Sequence, residues 1–357
     1  MRVPSDLLKT NYLRMKILVT GGMGFIGSHT VVELVNAGHT PIIIDTLENS
    51  QPWIKDGIEQ IIGQSVTFYK GDCADRSLLN HIAQQEKHID GVIHFAAYKA
   101  VGESVAQPLK YYRNNIGSLI AILEWMEAYN FNNLVFSSSC TVYGQPDVLP
   151  VTEQSPIIKA QSPYGNTKQI CEEIISDYIA SGKLLSALSL RYFNPIGAHP
   201  SAFIGELPIG VPGNLVPFVT QTAVGWRKEL SIFGNDYNTP DGTCIRDFIH
   251  VVDLAVAHVK ALEFLHNRHT TSFFDYINLG TGLGVSVLQV VNTFEQVTGV
   301  PCPHKFVDRR PGDVEQIYAS VEKAAQVLGW RTKYNLAQSL ADAWRWQKAL
   351  DSRGIKP

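Results

Sequence analysis

In SPYGNTK, a tyrosine and a lysine, Tyr164 and Lys168, stand four positions apart just after a proline that can open a helix. On a helix that spacing stacks the two side chains on one face. A phenol of ordinary pKa, about 10, is a poor base at neutral pH, and a nearby cation favours its ionised form. Such a tyrosine can take a proton from a substrate hydroxyl while hydride leaves the same carbon. Ser139, in FSSSCTVYG, closes an apolar run and can bring a hydroxyl to the same substrate oxygen. Tyr-x-x-x-Lys alone is common on helix surfaces, so the reading needs a hydride acceptor bound elsewhere in the chain.

That acceptor's site is read in TGGMGFIGSH, where Gly21, Gly24 and Gly27 follow one apolar run and open an amphipathic stretch. Glycines at this spacing let the backbone turn sharply and approach a pyrophosphate, whose charge a helix N-terminus favours. Asp45 ends the next run 18 residues beyond Gly27, where an acid can bind both ribose hydroxyls. The same carboxylate repels a 2′-phosphate, which favours NAD over NADP. Asp72, in KGDCAD, is placed to meet an adenine amino group; the alternative is a helix N-cap.

The elements that must carry these residues are legible as short β-branched runs: Lys16–Thr20, Thr40–Asp45, Val66–Asp72, Asp90–Ala97, Asn133–Ser139 and Leu185–Phe193. Between them lie helical stretches at Ser28–Ala37, Pro108–Tyr129 and Tyr164–Ser181. Buried strands alternating with helices predict an α/β fold, a Rossmann-type doubly wound parallel sheet, with chemistry at the carboxyl ends of its strands. After Phe193 the texture changes: residues 194–213 hold four prolines and four glycines and read as a long ordered loop. Val252–Leu265 reads as a helix, Asp275–Gly282 as one more buried strand, and LADAWRWQKAL as an amphipathic helix whose tryptophans pack. The expected division is a weakly ordered extension at 1–14, a cofactor-binding domain at 15–193 plus about 244–270, and a smaller C-terminal α/β substrate-binding domain at about 194–243 plus 271–350.

From Met15 onward the chain resembles the extended short-chain dehydrogenase/reductase family, and within it the UDP-glucose 4-epimerases. The resemblance rests on VIHFAAYKAVGESV, YYRNNI, FSSSCTVYG, QSPYGNTK, LRYFNPIGAHPS, IFGNDY and DGTCIRDFIHVVDLA. It implies a catalytic triad of Ser139, Tyr164 and Lys168. Phe25, Ile26, Asp45, Asp72, Cys73, Phe95, Ala96, Lys99, Asn114, Tyr192 and Phe193 match positions that touch NAD. Asn194, Asn214, Leu215, Phe233, Arg246, Arg310 and Asp313 match the UDP-sugar side. The residue types suit those roles: Arg246 and Arg310 can fork onto a diphosphate, Asp313 can accept from ribose hydroxyls, and Phe233 can lie on a uracil face. Ile317 aligns with a position beside the sugar's C2 substituent. Its medium bulk implies good activity on UDP-glucose and UDP-galactose, and weaker activity on UDP-N-acetylhexosamines. The family further implies a homodimer formed by a four-helix bundle of Pro108–Tyr129 and Tyr164–Ser181 from each subunit.

Composition bounds the remainder. A net charge of −3 over 357 residues gives no electrostatic case for nucleic acid or an anionic membrane as partner. Five scattered cysteines, an odd count without a CxxC pair, argue against a disulfide framework or a zinc site and for a reducing, cytoplasmic setting. No apolar run approaches the roughly 20 residues that span a bilayer. Two other functions compete with epimerisation. A nucleotide-sugar 4,6-dehydratase would need an acid just after Ser139, where the chain has Cys140 and Thr141. A non-catalytic NAD-binding protein would need the glycine turn but no Ser139, Tyr164 and Lys168. On strand alternation the Cys140 side chain is expected to point away from that of Ser139.

Overall fold

The structure, a computed structural model, describes residues 14–268, 272–310 and 313–356. Residues 1–13 of the expected N-terminal extension lie outside the described residues; Arg14 donates from Nε to Thr40 Oγ1 at 2.9 Å.

Six parallel strands, β1 (Lys16–Thr20), β2 (Thr40–Asp45), β3 (Thr67–Lys70), β4 (Gly91–His94), β5 (Asn133–Ser139) and β6 (Ser186–Tyr192), form most of one sheet. Four short strands follow in the chain: β7 (Asn194–Ile196), β8 (Leu230–Phe233), β9 (Ile245–Arg246) and β10 (Phe248–His250). Then β11 (Phe273–Leu279) returns to pair with β6 and completes the order β3-β2-β1-β4-β5-β6-β11. The order reverses between β1 and β4, and ligands of doubly wound sheets bind at such a switch point. The central strands are buried along nearly their whole length, which is why they read as unbroken apolar runs. Strand β11 begins just past residue 271, so a division of the chain by number there and a division by sheet membership differ.

Helices cover both faces. On one side α1 (Phe25–Asn36) and α9 (Val251–His266) pack a core with Ile17, Val19, Ile43, Ile93 and Leu188. Between them in sequence come α2 (Ile54–Ile62), α3 (Arg76–Glu86), α4 (Val101–Ala106), α5 (Pro108–Tyr111), α6 (Gly117–Tyr129), α7 (Pro163–Ala180) and α8 (Leu215–Ala223). Of these α3, α6 and α7 bury Leu79, Ile82, Leu119, Ile122, Cys171 and Ile175 against the sheet's other face. Local chemistry sets the start of α7: Ser162 caps it, accepting from Gly165 N at 3.2 Å, and Pro163 occupies the first helical position.

The stretch Pro108–Tyr129, expected as one helix, is interrupted by a π-turn at Tyr112–Ile116. Such bulges re-aim side chains, and this one carries Asn114 and Asn115.

A second, smaller unit is built from α8, α10 (Val287–Thr298), the parallel pair of β8 with β13 (His304–Val307), and a small sheet in which β9 lies between β12 (Val285–Ser286) and β14 (Gln316–Ile317). The chain ends with α11 (Glu322–Leu328) and α12 (Leu336–Ser352), the latter packed with α8 and α10 around Val219, Val290, Phe294 and Leu340. Within residues 194–213 only β7 is regular, and it pairs with β10. All five cysteines are free thiols.

Candidate active site

Ser139 is the last residue of β5, in register with Tyr192 at the end of β6, so both side chains sit at the carboxyl edge of the sheet. Its hydroxyl accepts from Thr141 N at 3.2 Å, because the chain leaves the strand there into a single 3-10 turn, Cys140–Tyr143. Strand alternation therefore stops at Ser139. Cys140 does not point away as expected: its thiol is hydrogen-bonded with the Ser139 side chain, and burial pushes it up to about 12.

Tyr164 is the second residue of α7 and is buried beside Ser139. Burial first, and then the neighbouring Tyr192, push its phenol well above its ordinary value, against a hydrogen bond from Ser139. Lys168 lies one turn on, its ammonium 6.0 Å from the Tyr164 ring centre, but that ammonium donates to the Ser137 carbonyl at 2.6 Å. Burial draws the lysine down to about 8. The spacing argument brought the pair together; burial opposes ionisation of the phenol there.

The glycine turn packs against the loop that follows β4. Gly21 has φ +68°, and a Cβ on it would stand 2.9 Å from Ala96 N; one on Gly27 would stand 2.3 Å from the Gly21 carbonyl. Gly24 is the N-cap of α1 and offers no side chain to its first-turn N–H groups. This leaves a tight, donor-rich cradle that fits a pyrophosphate. Asp45 accepts from Met23 N at 3.0 Å, Leu47 N at 2.8 Å and Ser50 Oγ at 3.2 Å, which tie the acid to the same turn. Burial raises its pKa nonetheless. Asp72 accepts from Ala74 N at 2.8 Å, while the cap of α3 is Asp75, so the N-cap alternative for Asp72 does not hold. Cys73 is buried behind it. Phe95 rests 4.7 Å from the His258 ring, Lys99 pairs with Glu206, and Phe25 packs edge-on to His29 with Ile26 against the core. Asn114 donates to Asn115, and Phe193 N reaches the Leu279 carbonyl.

In the second unit, Phe233, Arg246, Arg310 and Asp313 converge. Asp313 accepts from Arg310 at 2.7 Å and lies 3.5 Å from Arg246, while the Arg310 guanidinium stands 5.7 Å from the Phe233 ring centre. Phe233 is 42% exposed, unusual for a phenylalanine and suited to a planar partner. Ile317 is in register with Arg246 and buried against the cluster of Val142, Tyr143 and Phe193. Asn214 caps α8 in backbone geometry but makes no side-chain cap bond, and Leu215 opens the helix.

Three residues, Asn115, Glu172 and Arg191, escaped the sequence reading. Asn115 holds the loop after β4 to α7, donating to the Tyr98 carbonyl at 3.0 Å and Thr167 Oγ1 at 3.1 Å. Glu172 and Arg191 form a buried, forked ion pair beneath Ser139; Glu172 also accepts from Ser138 Oγ at 2.6 Å. The signal for Glu172 was its place one turn beyond Lys168, on the face already singled out. Thr141 Oγ1 and Asn194 Oδ1 are buried without a partner, and both adjoin the Ser139 end of the sheet. Buried polar atoms are rarely left so unless something else meets them.

Comparison with known proteins places this geometry. The family model described as GDP-mannose 4,6 dehydratase matches residues 18–343. A UDP-glucose 4-epimerase of Bacillus subtilis (strain 168) is 50% identical over 335 residues, 94% of this chain and 97% of that protein. The crystal structure of a UDP-glucose-4-epimerase from Stenotrophomonas maltophila, with bound NAD and formylated UDP-arabinopyranose, superposes with a TM-score of 0.92 at 45% identity, covering 95% of this chain and all of that one. That of the Bifidobacterium longum UDP-glucose 4-epimerase, in complex with NAD+ and UDP, gives 0.89 at 44% identity over 94% of this chain and 98% of that one.

Proposed function

We propose that this chain, which belongs to the UDP-glucose 4-epimerases of the extended short-chain dehydrogenase/reductase family, interconverts UDP-glucose and UDP-galactose by inverting C4 through a 4-keto sugar. The observation that carries the reading is the Ser139–Tyr164 pair, hydrogen-bonded to each other at the carboxyl edge of the sheet with Lys168 one turn along α7. When bound, NAD supplies the hydride acceptor for C4, the donor that returns it, and a positive ring that favours the phenolate.

Each remaining step belongs to the chain. Tyr164 removes the C4 hydroxyl proton and later restores it; Ser139 hydrogen-bonds the same oxygen. Lys168, fixed on the Ser137 carbonyl, holds positive charge near the phenol. Arg246 and Arg310 grip the diphosphate, Asp313 takes ribose hydroxyls and Phe233 covers the uracil. Firm anchoring of the UDP part leaves the hexose free to turn and present its other face. Gly21, Gly24 and Gly27 cradle the cofactor's pyrophosphate, with Asp45 on its adenosine ribose and Asp72 at the adenine. The dehydratase reading is not favoured, because Cys140 and Thr141 supply no acid beside Ser139.

The protein acts as a cytoplasmic homodimer. Val105, Leu109 and Ile120, exposed apolar side chains in and beside the α5–α6 segment, support a two-fold bundle of this segment with α7. Among the described residues no helix is long and apolar enough to cross a membrane.

Incubating the purified protein with UDP-glucose and no added NAD tests the activity. UDP-galactose is expected; a 4-keto-6-deoxy product or no product sinks the proposal. Tyr164→Phe should keep NAD bound and lose about 10²–10⁴-fold in turnover. Near-normal turnover in that variant removes Tyr164 from the mechanism.

A further inference from the structure

One carboxylate oxygen is shared between the two halves of the molecule. Glu206 Oε1 accepts from Lys99 Nζ at 3.0 Å and from Asn214 Nδ2 at 2.6 Å. Lys99 follows β4 of the large sheet; Asn214 opens α8 of the smaller unit. The Glu206 side chain is only 8% exposed, against 58% for Lys99, so the acid is the fixed member of the group. Its backbone is fixed too: Trp346 of α12 donates its indole N–H to the Glu206 carbonyl at 3.0 Å. The Trp346 ring lies so close to Gly205 that a Cβ there would approach it to 2.6 Å.

The bond to Asn214 has a consequence at α8. Asparagine is among the preferred N-caps, and Asn214 has the extended backbone of one, yet its side chain caps nothing. Its amide is turned to Glu206 instead. The first-turn N–H groups of α8 therefore receive no bond from the Asn214 side chain.

We propose that Glu206 is a positioning residue that couples the cofactor side to the sugar-nucleotide side, acting through Lys99 and Asn214. By holding the Asn214 amide it fixes the orientation of a side chain assigned above to the sugar nucleotide. By holding Lys99 with the same oxygen it makes the placement of one residue depend on the other. The inference rests on the preceding assignment of Lys99 to NAD and Asn214 to UDP.

The test is UDP affinity, measured by calorimetry on the NAD-loaded enzyme, for wild type and for Glu206→Ala, Glu206→Gln, Asn214→Ala and the Glu206→Ala/Asn214→Ala double variant. Glu206→Ala should weaken UDP about tenfold, the scale of a hydrogen bond to a charged group. Adding Asn214→Ala should weaken it no further. Glu206→Gln retains an acceptor oxygen and should stay within about threefold of wild type, with kcat at saturating sugar nearly unchanged. A carboxylate of merely structural role would lower Tm without this sub-additivity. Lys99→Met leaves Glu206 untouched and should still shift UDP affinity by about threefold through the shared oxygen. Wild-type affinity in Glu206→Ala, full multiplication of the two losses, or an unmoved Lys99→Met overturns the coupling. Should the wild type itself neither bind UDP nor epimerise, the reading of the site falls, and this inference with it. A wild type that does both, with variants that multiply, removes the coupling alone.

Discussion

Two arginine–acid clusters in this molecule serve opposite ends. Beneath Ser139, Arg191 and Glu172 are 1% and 3% exposed, and their hydrogen-bonding atoms are met inside the protein: Arg191 also donates to Tyr143 OH at 3.1 Å, which donates to Asn278 at 2.6 Å. In the smaller unit two arginines, Arg246 and Arg310, share one acid, Asp313, and the Arg310 side chain is half exposed. The first cluster balances its charge, and each guanidinium nitrogen of Arg191 donates inside the protein. In the second, two arginines share one carboxylate, and among the described residues nothing accepts from Arg310 Nη1. A balanced buried pair can fix geometry but cannot bind an anion, whereas an unbalanced, accessible one does the reverse. The Ser139 end is thus built for position and, on the roles proposed above, the Arg246–Arg310 end for capture.

Removing one member of the buried pair gives the largest expected effect on stability. Glu172→Ala strands the Arg191 charge in the interior and should lower unfolding free energy by about 3–5 kcal/mol. KM for UDP-glucose should stay near wild type in whatever folds. Chemical denaturation checks the first claim, and a loss below about 1 kcal/mol would show that the pair does not hold the strand ends.

At the other cluster the pattern should invert. Arg246→Ala should raise KM for UDP-glucose by roughly 10–100-fold, the range of one or more charge-assisted contacts, with little change in unfolding free energy. Arg310, more exposed, should matter less. If Arg246→Ala destabilises the fold as much as Glu172→Ala does, the contrast between the two clusters collapses.

This contrast also marks what the sequence could disclose. Tyr164 and Lys168 were legible because helix geometry is local, and four positions decide which side chains share a face. The glycine turn and Asp45 were legible because a strand, a turn and a helix follow one another within 30 residues of chain. Glu172 shares that face with Lys168, yet its partner Arg191 comes from a strand, and only the packing of α7 on β5 and β6 shows the pair. The π-turn at Tyr112–Ile116 left no mark on the apolar period of Pro108–Tyr129. Spacing gave the nearness of Lys168 to Tyr164 but is silent on burial and on the Ser137 carbonyl that holds the ammonium.

The sheet half should also set the acid limit of the fold. Burial pulls His29 and His94 down to about 3 and His258 to about 4. The unfolded chain takes up these protons near pH 6.5, the folded chain only near 3 to 4. Each histidine's contribution is therefore complete above pH 6.5 and is lost as pH falls below it, at about 1.4 kcal/mol per pH unit. Replacing His258 with Phe should remove one such increment from the slope of unfolding free energy between pH 6.5 and 4.5. Parallel slopes for variant and wild type would mean that His258 takes up its proton in the folded state.

The smallest effect is expected at Ile317, where the two clusters meet. Its strand partner is Arg246 of the capturing side, and its side chain packs on Val142 and Phe193 of the positioning side. It is 4% exposed, so any change of volume there is transmitted to its neighbours rather than absorbed by solvent. An acetamido group on the sugar's C2 needs room on both faces as the hexose turns. A smaller residue should supply part of that room: Ile317→Ser should raise the ratio of activity on UDP-N-acetylglucosamine to that on UDP-glucose by about tenfold, the lower end of what one methylene of pocket fit is worth. Ile317→Tyr should lower the ratio, and overpacking should cost about 1–3 kcal/mol of stability as well. The ratio is the informative quantity, since a general loss of stability reduces both activities together. An unchanged ratio in both variants would mean that Ile317 belongs wholly to the packed, positioning side and does not border the sugar.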